Sequence, residues 1–422
     1  MSHIPKTSTR RYYADWVRVI AVCVLVIYHT TAMFNPLDPL AAVKGKPIPA
    51  TAFFSAFIHE WRLALLFIVS GGGTFYALGS QSWTRFVRGR FRRLIVPLIF
   101  GTLLLVPPLF YVGLLFQNPS YARSFPQFYA LILFAFARTG RFGQGLESLH
   151  WAHLWFLAYL FCASLLALPL FLYLRGPAGR RVGARLVEFL SRKGMVFLLA
   201  LPLVAVEVLL RARWASTRLL LVDDWASFLS YTTFFVYGFL IFSDERLSRA
   251  IERHAWAALT LGVLTSALYL FIFFTGRAPH PAYNLPWSLY MVLRGFNKWF
   301  WCVAVLGLGA KYLNFNHRLL PFANEAVYPV YVLHLPVATL IAYWVVGWNV
   351  WPVAQLCVIT LGTLAVSVCV YAFIIRQTNL TRFLFGLKPK KVTRAGGDLD
   401  PATGTALSRP APGDDTTPTS AW

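Results

Sequence analysis

Asp15, Arg18 and His29 fall on one stripe of the first apolar run, Asp15-Trp-Val-Arg18-Val-Ile-Ala-Val-Cys-Val-Leu-Val-Ile-Tyr28-His29. At about 100° per residue, the eleven-residue step from Arg18 to His29 returns to within roughly 20° of the same helix face. At about 1.5 Å per residue it covers about 16 Å, half the hydrocarbon thickness of a bilayer. A helix here carries a charge at one membrane surface and a proton-transfer group well inside. Ionisable groups in lipid cost on the order of 3 kcal/mol or more, so they persist where they face a partner or a cavity. Histidine titrates near neutrality and suits transfer of an acyl group to a hydroxyl. It acts either as the base that takes the hydroxyl proton or as a transient acyl carrier, and both remain open. Arg18 is either an interfacial arginine with its head in water or an anchor for a phosphate. Asp15, one turn away, is placed to orient it.

Further polar residues are scattered through apolar runs. Arg90 and Arg93 sit at the mouth of a later helix, where arginine forks suit phosphate; a positive-inside topology would also place them there. Glu60, within His59-Glu60-Trp61-Arg62, reads as part of an interfacial anchor or as a carboxylate that orients a histidine or binds sugar hydroxyls. His150 and His153 precede Trp155 and show no third metal ligand; His153 and Trp155 are candidates for lining an acceptor pocket. Lys298, close to Arg294 and Asn297, is expected to face a cavity or to pair with a carboxylate such as Glu207 or Glu325. Tyr331 and His334 share a helix face and line a site or bond between helices. Ser70-Gly71-Gly72-Gly73 lacks the surroundings of a serine nucleophile and reads as small residues for close helix packing. The five cysteines lack metal spacing and read as packing residues.

The elements that must hold these residues are membrane helices. The 422-residue chain is 58% hydrophobic and only 13% charged, with a mean hydropathy of +0.58. A soluble protein would carry more charge, so the fold class is an all-α polytopic membrane protein. The net charge of +23 does not indicate nucleic acid, because the basic residues sit in short clusters between apolar runs. They fit the positive-inside rule and anionic lipid headgroups. Apolar windows place about ten spans, near 16–34, 52–78, 94–116, 151–174, 195–211, 225–242, 256–275, 287–310, 322–346 and 352–376. The run 126–137 is too short to cross and is expected to be re-entrant or interfacial. Basic residues in the loop after span two (Arg85, Arg88, Arg90, Arg92, Arg93), in the loop after span four and in the tail put both termini in the cytoplasm. Residues 1–15 are then a cytoplasmic segment, 16–376 the transmembrane domain and 377–422 a cytoplasmic tail. That tail is basic at first, then rich in Pro, Thr, Ala, Gly and Asp and expected to be disordered.

The Arg-x10-His first helix resembles that of the integral-membrane acyltransferase family 3, bacterial O-acyltransferases that modify glycans and other envelope molecules. Four more stretches resemble the family's motifs in the expected order across 11–376: Phe67-Ile-Val-Ser70-Gly71, Arg90-x-x-Arg93-Leu-Ile-Val-Pro97, His153-Leu-Trp155-Phe-Leu and Tyr328-Pro-Val-Tyr331-Val-Leu-His334-Leu-Pro336. The flavour nearest to it is the periplasmic-glucan modification branch. The resemblance implies acyl-CoA as donor substrate, with no tightly bound cofactor and no metal. It also implies an envelope glycan or other exported hydroxyl as acceptor, and a bacterial inner-membrane location. On this reading His29, Arg18 and Asp15 are catalytic, and Arg90 and Arg93 hold the donor. Glu60, His153, Trp155, Lys298, Tyr331 and His334 line the acceptor site. A transporter or flippase is the alternative, since polar intramembrane residues also mark permeation paths. Neither the discontinuous helices nor the inverted repeats that would favour it are evident in the sequence. A lipid-binding scaffold would not need His29, Lys298 and His334.

Overall fold

The computed structural model describes residues 11–38, 41–140, 146–214 and 223–390. The expected disordered stretch 392–422 and the basic residues Lys6, Arg10, Arg218 and Lys391 lie outside them. The described residues are helical, with no strand. Helix α1 is Tyr12–Ala32, α2 Pro49–His59 and α3 Arg62–Ser80. They are followed by α4 (Trp83–Gln117), α5 (Phe125–Thr139), α6 (Ala152–Leu166), α7 (Leu168–Arg175), α8 (Pro177–Leu190) and α9 (Met195–Leu210). The second half holds α10 (Trp225–Ser243), α11 (Glu245–Arg253), α12 (Ala255–Phe274), α13 (Leu285–Tyr312) and α14 (Leu320–Val345). It ends in α15 (Pro352–Ile375) and α16 (Asn379–Leu384).

This is an all-α polytopic membrane fold. Among the described residues seven helices are long and apolar enough to cross, with α2 and α3 counted as one; the number rises to nine if α6–α7 and α8–α9 each form one span. The expected ten exceeds this for two physical reasons. Helix α13 is 28 residues long, but Arg294, Asn297 and Lys298 lower its hydropathy. Helices α8 and α9 meet at 119°, so the expected span 195–211 is a short arm after a sharp bend. The run expected at 126–137 is α5, 15 residues long, with a capping box from Ser124 and Gln127 and left-handed Gly140 at its end.

The expected arginine loop after span two is corrected. Arg85, Arg88, Arg90, Arg92 and Arg93 belong to α4, which is continuous for 35 residues. Arginine is a good helix former, and nothing between Trp83 and Pro97 breaks the pattern. Two π-helical turns, Phe91–Ile95 and Gly101–Leu105, precede Pro97 and Pro107. A proline inside a helix denies an amide to the carbonyl four residues before it and clashes with it, and a wider turn relieves the clash. The freed carbonyls are used: Arg93 accepts from the Tyr328 hydroxyl and Leu103 from that of Tyr129 at 3.0 Å.

Helix α1 is the hub, packed against α2, α3, α13, α14 and α15. Its polar stripe therefore faces protein. The most extensive packing joins α3 to α10. It is a backbone-to-backbone crossing: a Cβ added at Gly71 would lie 1.9 Å from the Phe235 carbonyl oxygen, and one at Gly238 would lie 1.9 Å from that of Ile68. The glycine run in α3 is thus a packing surface, as its small residues suggested.

Gly238→Ala should force α3 and α10 apart at a cost of roughly 1–3 kcal/mol or more. Gly79→Ala, where nothing lies within 4 Å of an added Cβ, should be neutral or slightly stabilising. Thermal unfolding of the two variants in detergent, monitored by loss of monodisperse protein, checks the contrast.

Candidate active site

Three imidazoles from three helices meet at one end of the α1 stripe. The His29 ring lies 5.1 Å from that of His334, and His334 lies 4.9 Å from His153, centroid to centroid. Helices α1 and α14 run parallel and in register: Arg18 bonds Asn324 at one level, and His29 meets His334 ten to eleven residues further along both chains.

Helix α14 fixes the state of two of these rings. Pro336 denies an amide to the Val332 carbonyl, and the His153 Nε2 lies 3.0 Å from that oxygen. A carbonyl only accepts, so Nε2 carries the proton and Nδ1 keeps a lone pair. That Nδ1 is buried without a partner. His334 is the mirror case: its Nδ1 donates to the Tyr331 carbonyl at 2.6 Å, and its buried Nε2 has no partner. The Tyr331 hydroxyl donates to the His153 carbonyl at 2.7 Å and ties α14 to the start of α6. Ala152, beside His153, holds a left-handed φ of 45°, and the His150 Nδ1 accepts its amide at 2.8 Å. Such strain in a non-glycine residue costs of order 1–3 kcal/mol and here sets the position of His153. His29 itself forms no hydrogen bond among the described residues; it is half-buried, with Tyr28 edge-on at 5.2 Å.

The other end of the stripe is an arginine cluster. Arg18 donates to Asn324 at 2.8 Å and lies 3.7 Å from Asp15, whose carboxylate also accepts from Asn324 at 3.1 Å. Asp15 thus orients Arg18, as their spacing suggested. Arg90 donates to Thr74 at 2.5 Å and to the Ser70 carbonyl at 3.4 Å. Arg93, within electrostatic reach of Arg18, Arg90 and Lys388, has no side-chain partner among the described residues. Gly386, at φ +66°, lets the chain after α16 close over this cluster; a Cβ there would lie 2.8 Å from the Arg93 carbonyl oxygen.

Beside the histidines lies a buried chain of ion pairs. Glu60 holds Arg294 at 2.7 Å and Lys298 at 3.7 Å; Lys298 also reaches Glu207 at 2.7 Å. Glu207 holds Arg211 at 3.0 Å, and Arg211 approaches Asp224 at 3.6 Å. Three carboxylates balance three cations. A cavity of about 30 Å³ opens among them, lined by His59, Arg211, Ser227, Ser230, Tyr231, Phe234, Arg294 and Lys298.

The sequence-selected residues therefore divide. His29, His153 and His334 come together, and so do Asp15, Arg18, Arg90 and Arg93. Glu60 and Lys298 belong to the ion-pair chain. Of the two carboxylates proposed for Lys298, Glu207 is the partner; Glu325 is held by Tyr371 and Arg382. His153 is buried. Trp155 is also buried, stacked among Tyr159 (4.8 Å) and Tyr231 (5.6 Å), and the Tyr331 hydroxyl is spent on backbone. Among the described residues no three His, Cys, Asp or Glu side chains are arranged to hold a metal. Asn324, Tyr328, Thr74 and Arg62 went unselected, although an asparagine and an arginine inside apolar runs were signals of the same kind as Lys298.

A family model described as an acyltransferase domain matches residues 11–372. No curated protein and no solved structure matches the chain.

The ion-pair chain generates a stability prediction. Glu207→Ala removes the close carboxylate of two buried cations, leaving Lys298 only Glu60 at 3.7 Å and Arg211 only Asp224 at 3.6 Å, and should cost roughly 3–5 kcal/mol, read as a lower unfolding midpoint in detergent. Replacing Glu207 and Lys298 together by methionine should recover much of that loss, because the charge is then removed in pairs.

Proposed function

The chain belongs to acyltransferase family 3, and on that premise we propose that this membrane acyltransferase moves an acyl group from acyl-CoA to a hydroxyl of an envelope glycan or other exported acceptor. The observation that carries the reading is the position of His29. It is half-buried, forms no hydrogen bond among the described residues, and shares its helix stripe with an arginine cluster about 16 Å away. In the orientation implied by the basic loops, the arginines face the cytoplasm, where acyl-CoA is made, and the histidines lie toward the outer leaflet. The chain then works in a bacterial inner membrane.

The chemistry follows from the residues. His29 takes the proton of the acceptor hydroxyl as its oxygen attacks the thioester carbonyl carbon. The C–S bond breaks, and the leaving thiolate takes the proton back from His29. The His334 ring lies 5.1 Å from that of His29, with its Nδ1–H held by the Tyr331 carbonyl, so it orients the base. At the other end, Arg18 and Arg90 are already bonded to protein, which leaves Arg93 as the arginine available to the donor's phosphates. Charged residues of the α2–α3 break and α13 border the acceptor side, where Glu60 and Lys298 keep the cavity polar.

His29→Ala should cut transfer from acyl-CoA by on the order of 10²–10⁴-fold, the range for a lost general base, while membrane insertion persists. Activity of the purified variant at the wild-type rate would remove His29 from the mechanism. For the donor, Arg93→Lys keeps the charge but loses the bidentate geometry. It should raise KM for acyl-CoA roughly tenfold, equivalent to about 1.4 kcal/mol, with little change in kcat. A short thioester without the nucleotide should be indifferent to the change. Equal losses with both donors would mean a structural defect and overturn the phosphate-binding role.

A further inference from the structure

Arg62, the first residue of α3, is 5% exposed, and its Nε and one Nη have no hydrogen-bond partner. Among the described residues no carboxylate forms an ion pair with it. The nearby carboxylates are spent: Glu60, two residues before it, is held by Arg294 and Lys298, Glu207 by Lys298 and Arg211, and Asp224 faces Arg211. Three acids balance three bases, and Arg62 remains as a surplus buried cation. Its guanidinium stacks on Tyr28, with Cζ 3.4 Å from the ring centroid. Cation–π attraction offsets only part of the cost of burying an unpaired charge. The remainder is offset when an anion arrives.

The same tyrosine shows where that anion forms. Tyr28 packs edge-on against His29 at 5.2 Å, and its hydroxyl lies 3.4 Å from the His59 Nδ1. Arg62, Tyr28, His29 and His59 are one contiguous group, and the Arg62 charge acts on both imidazoles. In the acyl transfer proposed above, negative charge develops beside His29 on a single atom, the carbonyl oxygen of the thioester.

We propose that Arg62 is the oxyanion-binding residue of the acyl transfer, its unpartnered guanidinium N–H groups donating to the carbonyl oxygen of the tetrahedral intermediate. The inference rests on the assignment of His29 as base. As the acceptor oxygen bonds to the carbonyl carbon, the π pair moves onto the carbonyl oxygen, which Arg62 holds, and the hydroxyl proton passes to His29. On collapse the pair returns, the C–S bond breaks, and the thiolate takes the proton from His29. Ester and free thiol are the products. Fixed donors aimed at developing charge in a water-poor site are worth most in the transition state, so the loss belongs in kcat.

The test is steady-state kinetics on the full chain in proteoliposomes, with acetyl-CoA as donor. Arg62→Met should lower kcat by about 10²–10³-fold, with KM within about threefold of wild type. Guanidinium ion added to an Arg62→Ala variant should restore part of the rate, which a merely structural arginine would not allow. Should the neutral variants fail to fold, Arg62→Lys carries the test: it keeps the charge, displaces the donors, and should lower kcat at unchanged KM. Unchanged kcat in a folded variant overturns the proposal. So does a rise in KM confined to donors whose acyl group ends in a carboxylate, which would make Arg62 a substrate-carboxylate site. The two levels fail separately. Inactive His29→Ala with active Arg62→Met discards only the oxyanion role, and active His29→Ala discards the base on which it rests.

Discussion

Three prolines inside long apolar helices, Pro97, Pro107 and Pro336, each leave the carbonyl four residues earlier without its helical amide. In hydrocarbon no water replaces that amide, so a side chain from elsewhere in the fold must do so. Tyr328 supplies the donor for Arg93, Tyr129 for Leu103 and His153 for Val332. The obligation to satisfy every buried polar group thus brings distant parts of the chain together. It draws α14 onto α4 at the arginine end of the molecule and α6 onto α14 at the histidine end. Breaks that weaken single helices become the joints of the bundle.

The same joints fix the state of two imidazoles. A histidine that donates to a backbone carbonyl has one tautomer, and the ring nitrogen left over is a lone pair of known position. Pro336 does this for His153, and the Tyr331 carbonyl does it for His334. Two buried, unprotonated nitrogens result, one of them beside His29. Their cost is an unsatisfied lone pair each. The strained φ of Ala152, held by His150, belongs to the same arrangement.

Charge is treated in the same way. Buried carboxylates and cations between α2, α9, α10 and α13 are matched one for one, which makes an internally neutral wall around a small polar cavity. Arg62 stands outside that balance, and Arg93 stands outside the pairing of Arg18 and Arg90 at the other end. Both lie beside the polar stripe of α1, Arg93 near Arg18 and Arg62 near His29.

The sequence by itself determined the class of the protein. Scarce charge and long apolar runs dictate membrane helices, because a backbone in lipid has no other way to bond. It also determined the Asp15–Arg18–His29 stripe, since a helix fixes the angle and rise between residues on one element. The pairing of Lys298 with a carboxylate was legible for the same reason that made it necessary, the cost of a lone charge. The sequence did not reveal that α4 runs unbroken through its arginines, because basic residues mark a membrane boundary whether they sit on helix or loop. Nor did it reveal which carboxylate meets Lys298, that Trp155 is packing, or that Arg62 lacks a counter-ion. Those depend on which helices are neighbours. Partner choice between helices rests on contacts such as the Gly71 and Gly238 crossing, made between residues far apart in the chain, and only the tertiary structure decides them.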